Sequence, residues 1–174
     1  MEAIRNLFRR DEQSESAEPD SGGLSYRSQP EAIRYDSQLI GALHKDHEAL
    51  LNAWTGIGER LAKGRFDDIP DALNRFKRDL DHHLLTENVR FYNYVEQQLA
   101  DDRVDSEIIR DFRQEMNGIA RSVTRFIRKY ISSGVGAWNF NAFRKDYRAI
   151  GEALKNRIER EECDLYPLYT PPQE

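Results

Sequence analysis

"LIGALHKDHEALLNAWTGIGERL", residues 39–61, decides the fold. Leu39, Leu43, His47, Leu50, Trp54, Ile57 and Leu61 recur at steps of three and four, which sets them on one stripe of an α-helix facing other helices. Three more stretches share that period. Leu73, Phe76, Leu80, His83, Glu87 and Tyr94 trace a second seam, Ile108, Phe112, Ile119, Val123, Ile127 and Tyr130 a third, and Phe143, Tyr147, Ile150, Leu154, Ile158, Glu161 and Leu165 a fourth. Nothing alternates convincingly with period two, so the body is predicted to be all-α.

The breaks between these stretches carry helix punctuation. "KGRFDD" ends the first, Asp67 and Asp68 offer caps, and Pro70 suits a first turn. The second helix is predicted to close near Ala100, with Asp105 or Ser106 capping the third. "SSGVG" stops that helix, Asn139 or Asn141 caps the last, and Pro167 with "TPPQE" ends the fold. Long helices with mostly short connections favour antiparallel neighbours, so the expected architecture is an up-down-up-down four-helix bundle over residues 35–170.

A chain of 174 residues with 39% hydrophobic content suits one core of ordinary size. Net charge −5 and a pI of about 5.5 argue against nonspecific nucleic-acid binding, which needs dense Lys and Arg against phosphates. Proteins or small ligands are the expected partners. Cys163, the single cysteine, has no partner for an internal disulfide, which fits the cytoplasm. Its acidic neighbours Glu161, Glu162 and Asp164 disfavour a reactive thiolate. No run approaches the roughly 18 apolar residues of a membrane span, and "MEAIRNLFRR" is too charged for a signal sequence. Residues 1–34 read as an extension. Ile4, Leu7 and Phe8 beside Arg5, Arg9 and Arg10 form a short amphipathic segment able to touch a partner or a membrane surface, and residues 11–30 form a disordered linker.

Four seam positions are polar: His47, His83, Glu87 and Glu161. In an antiparallel bundle they meet at one depth, and imidazoles converging with carboxylates are how bundles hold iron, zinc or manganese. His44 and His82 step off the seams and are expected in solvent, and Tyr92, Tyr94, Tyr166 and Tyr169 are expected as packing residues with polar tips.

At "LIGALHKDHEALL", "HHLLTENVRFYNYV" and "RIEREECDLYPLY" the chain resembles the hemerythrin-like, or HHE cation-binding, family over about residues 36–170. The resemblance implies a di-iron centre answering to oxygen, nitric oxide or redox state. It assigns His47 to the first-helix ligand, His83 with Glu87 to the second-helix pair and Glu161 to the fourth-helix carboxylate, with Glu115 as a further donor. Two expected histidines are absent, their places taken by Met116 and Arg157, and all four histidines precede position 84. Arg157, one turn from Glu161, would repel a nearby cation, and its guanidinium can neutralise Glu87 and Glu161 by bidentate hydrogen bonds. The expectation is an incomplete site with no cofactor, iron or another divalent ion being the alternative.

The helix order is also similar to the Rsd/AlgQ family of bacterial regulators, which bind the primary sigma factor of RNA polymerase, through "DHEALL", "ENVRFYNYV" and "IGEALKNRIEREECDLYPLY". Arg121, Arg125, Arg128 and Lys129 make a basic stripe on the third helix, able to meet an acidic protein surface. No activated nucleophile or phosphate-cradling glycine loop is present, so an enzyme is not expected. The expected role is a regulatory or protein-interaction module, with a metal-dependent sensor and a sigma-factor binder as alternatives.

Overall fold

The computed structural model describes residues 33–99 and 103–172, and apart from Ile33 and Arg34 the extension expected over 1–34 lies outside them. Helix α1 spans Leu39–Ala62. After a 3-10 turn at Phe66–Asp68, α2 (Ile69–Thr86) runs unbroken into a π-helical segment, Glu87–Tyr92, and then into α3 (Asn93–Gln98), making one rod. Helix α4 is Arg103–Ser133. Helix α5, Phe140–Arg160, continues through a second π-helical segment, Glu161–Leu165, to a 3-10 turn at Tyr166–Leu168. The result is the all-α four-helix bundle that the seams imply, and no described residue is in a strand. No helix among the described residues is long and apolar enough to cross a membrane.

Each rod packs on its two neighbours in a closed ring. The antiparallel order is visible in the end contacts. Ile33 N donates to Gln97 Oε1, and Tyr94 Oη donates to the Thr170 carbonyl, joining the start of α1 to the ends of the second and fourth rods. At the opposite end Phe66 meets Phe140 edge to face, and Lys129 pairs with Asp146 at 2.8 Å. Gly64 and Gly134, with φ of 69° and 70°, take the left-handed conformation that ends α1 and α4, where a side chain would be strained.

All seven seam residues of α1 and all six of the second rod are buried. The third and fourth seams need correction. Ile108 is 40% exposed while Ile109 is fully buried, because the packed face runs through Ile109, Phe112, Met116, Val123, Ile127 and Tyr130, one position out of phase with Ile108. Ile119, Tyr147 and Ile150 lie at the rim, half-buried. The capping expectations fare worse. Asp68 precedes α2, but its carboxylate is taken by Arg65 Nε at 2.7 Å and neither Asp67 nor Asp68 caps the helix. Asp105 and Ser106 fall inside α4, which already starts at Arg103. Asn139 stands at the N-cap position of α5, yet its side chain ties the preceding loop, accepting from Gly136 N and donating to the Gly134 carbonyl.

Buried apolar residues form two clusters. One gathers Trp54, Phe76, Phe126, Tyr130 and Phe143, and the other Leu43, Phe91, Tyr94, Ile109 and Tyr169. Phe76 and Phe143 are fully buried, each contributing about 2–3 kcal/mol by leaving water. Between the clusters lies a layer of five buried polar residues: His47, His83, Glu87, Arg157 and Glu161.

Candidate metal centre

The layer is assembled from three rods. Helix α1 brings His47, α2 and its π-helical continuation bring His83 and Glu87, and α5 with its continuation brings Arg157 and Glu161. Both π-helical segments begin at a carboxylate, Glu87 and Glu161. Such widened turns re-aim side chains and gather at functional sites.

His47 and His83 stack with ring centroids 4.7 Å apart, and donor atoms of His47, His83 and Glu161 all lie within 4.8 Å of one another. His47 Nδ1 donates to Glu162 Oε1 at 2.8 Å, and its Nε2 faces Tyr166 Oη at 3.2 Å and Glu161 Oε2 at 3.3 Å. Burial pulls the His47 pKa down, but hydrogen bonds to Glu161 and Glu162 outweigh it and hold the ring above its ordinary value. His83 is held down to about 4, first by burial and then by the charge of His47, so it is neutral at pH 7 with a lone pair to offer. Its Nδ1 has no hydrogen-bond partner, Asp46 Oδ2 being 3.7 Å away.

Arg157 is 2% exposed and fully engaged. Its Nε donates to Glu161 Oε1 at 2.6 Å, Nη2 to Tyr92 Oη at 2.9 Å and Nη1 to Glu115 Oε2 at 3.3 Å, while Phe112 lies 4.6 Å beneath the guanidinium. Glu161 is therefore an anion: burial raises its pKa, but His47 and Arg157 together pull it below the ordinary value. Glu87 behaves in the opposite way. Burial and then the charge of Glu161 push its carboxyl well above the ordinary range, beyond what Arg157 can offset, so it is held as a neutral acid. Its Oε1 accepts from Tyr166 Oη at 3.4 Å, and its Oε2 has no partner.

The sequence residues thus divide. His47, His83 and Glu161 come together, with Glu87 beside them but bonded only to Tyr166. Glu115 does not join them: it is half-exposed and clasped by Arg157 and Arg160. The expected bidentate clamp of Arg157 on both Glu87 and Glu161 is not formed, because Tyr92 and Glu115 take its Nη atoms. Met116 is buried and lines a cavity of about 20 Å³ beside Arg157, Leu80 and Trp54, room for a single water-sized group. Sequence reasoning missed Tyr92 and Tyr166 as polar partners, and it missed Glu162. It also placed His44 in solvent, whereas the half-exposed ring meets Glu162 Oε1 at 3.1 Å. His82 is exposed, as expected.

These donors fit one divalent ion. Two imidazoles and a carboxylate converge, and two buried polar atoms, His83 Nδ1 and Glu87 Oε2, have no partner. They do not fit two ions. A guanidinium already neutralises Glu161, Met116 stands on the α4 side, and no imidazole comes from α4 or α5.

A buried histidine and carboxylate layer between four antiparallel rods defines a cation-binding four-helix bundle. The family model described as "Hemerythrin HHE cation binding domain" matches residues 37–169, and the chain belongs to that family. No curated protein and no solved structure matches it.

Proposed function

We propose that this chain is a non-enzymatic hemerythrin-fold module in which Arg157 does the electrostatic work of one metal ion, and that it acts as a regulatory partner of another protein. The observation that carries this reading is the guanidinium itself. Buried, bonded to Glu161 and stacked on Phe112, it leaves the layer close to neutral without a metal, since Glu161 balances Arg157 and Glu87 holds its proton. A bundle so neutralised has its outer faces for function. Arg121, Arg125 and Arg128 are exposed on α4 at positions one turn apart, and Lys129 beside them is paired with Asp146. Three exposed guanidinium groups in a row suit a partner with an acidic surface, a sigma factor being one candidate.

Elemental analysis with an absorption spectrum, on untagged protein supplied with iron, manganese and zinc, tests the first half. No two-iron complement is expected. Two equivalents of iron with oxo-bridge absorption would overturn the assignment of Arg157. Replacing Arg121, Arg125 and Arg128 by Glu tests the second half, by loss of co-purifying partner from the native cell with the melting temperature unchanged.

A second reading, a one-ion sensor of oxygen, nitric oxide or redox state, is favoured by the two unpartnered atoms, His83 Nδ1 and Glu87 Oε2. His47, His83 and Glu161 would hold the ion, which would supply redox or Lewis-acid chemistry. Glu162, accepting from His47 Nδ1, would fix the ring with Nε2 inward. His83→Gln would then abolish the bound ion and its spectrum.

A further inference from the structure

The π-helical turn at Glu161–Leu165 places two successive carboxylates on the two edges of one imidazole. Glu161 Oε2 faces His47 Nε2 from the core, and Glu162 Oε1 meets His47 Nδ1 from the solvent side. His44, one turn earlier on α1, turns its own Nδ1 to that same Glu162 oxygen. Donor atoms of His44, His47 and Glu162 lie within 4.8 Å of one another, and the side chains of His44 and Glu162 are 44% and 32% exposed, so this group opens to water where the buried layer does not.

We propose that His44, His47 and Glu162 form a solvent-side site for a zinc-class divalent cation, separate from the buried layer. The chemistry is that of two imidazoles and one carboxylate with a fourth position left to water, a donor set that zinc takes in tetrahedral geometry. The scaffold is already built. His44 and His47 are three residues apart on α1, the His44 ring is braced edge-on against Tyr166 at 5.4 Å, and the His47 ring lies parallel to Tyr166 at 5.6 Å. Binding through His47 Nδ1 places the remaining ring proton on Nε2, where Glu161 Oε2 accepts it, the carboxylate backing that orients metal-bound imidazoles.

A neutral imidazole has one lone pair. His47 therefore serves either the outer group through Nδ1 or the buried group through Nε2, and an ion in one place excludes His47 from the other. The outer site does not depend on whether the buried layer holds an ion.

The test is a calorimetric titration of the untagged full chain with Zn²⁺ alone, repeated on His44→Gln, Glu162→Gln and His83→Gln, with thermal melts to confirm folding. One zinc is expected on the wild type and on His83→Gln with similar affinity, and a loss of at least about tenfold on His44→Gln and Glu162→Gln. The proposal fails if the wild type takes no zinc, if both solvent-side variants bind like the wild type, or if His83→Gln alone abolishes binding. His44 is half-exposed, so His44→Gln carries the test if Glu162→Gln does not fold. Failure of the Arg157 assignment reads differently, as two equivalents of iron.

Discussion

The two halves of the bundle interior share one depth and differ in chemistry. Helix α1 and the second rod supply imidazoles, His47 and His83, with the neutral acid Glu87. Helices α4 and α5 answer with Met116 and Arg157, and with Glu161 held as an anion by that arginine and His47. One half is a donor set lacking a cation, and the other brings its own cation. Two glutamates less than one hydrogen-bond network apart therefore sit in opposite charge states, decided by which of them Arg157 reaches.

The largest change would come from erasing the difference. Replacing Met116 and Arg157 together by histidine returns imidazoles to the second half, and uptake is expected to rise to about two iron ions per chain, the number such carboxylate-bridged bundle sites hold, read by elemental analysis. Breaking the second half alone is the next test. Arg157→Ala leaves Glu161 without its cation, and Glu161→Gln leaves Arg157 without its anion. Each is expected to cost about 3–5 kcal/mol in urea denaturation, because a buried charge loses its partner.

The first half is probed by pH. His83 is held down to about 4, so between that value and 6.5 the unfolded chain binds a proton that the folded chain refuses. Its contribution to stability grows as pH rises through this window, by up to about 3 kcal/mol. Glu87 acts the other way, its raised pKa costing stability as pH climbs above 4.5, so the readout is the difference between the wild type and His83→Gln, which should lose the rising component. The smallest effect expected is that of Glu87→Gln. Glutamine keeps the shape of an already neutral side chain and removes the cost of keeping it protonated, so the variant should match the wild type at acid pH and exceed it slightly at pH 7.

The seams of α1 and the second rod are legible in the sequence because each keeps an unbroken period of three and four, and that period also marks His47, His83 and Glu87. Arg157 stands out through its place one turn before Glu161. The partners are harder to read. Tyr92 and Tyr166 look like packing residues, and only the fold turns their hydroxyls onto Arg157, His47 and Glu87. Glu162 falls off the seam in a regular α-helix, about 100° from Glu161, and reaches His47 because the turn there is widened. Caps fail as sequence signals where a stronger partner is nearby, as Arg65 is for Asp68.

The two widened turns also govern what lies beyond them. A π-helical turn holds an extra residue relative to an α-helical one. Removing Asn88 from one segment or Cys163 from the other would let that stretch tighten to an α-helix and rotate the remainder of its rod by roughly 100°. Phe91 and Tyr94 on one rod, and Tyr166 and Tyr169 on the other, now meet as a ring cluster at the far end. Their meeting is a matter of matched rotational phase, with one offset in each rod, and a deletion in either alone would dephase the aromatic end while leaving the end with Trp54 and Phe143 in register.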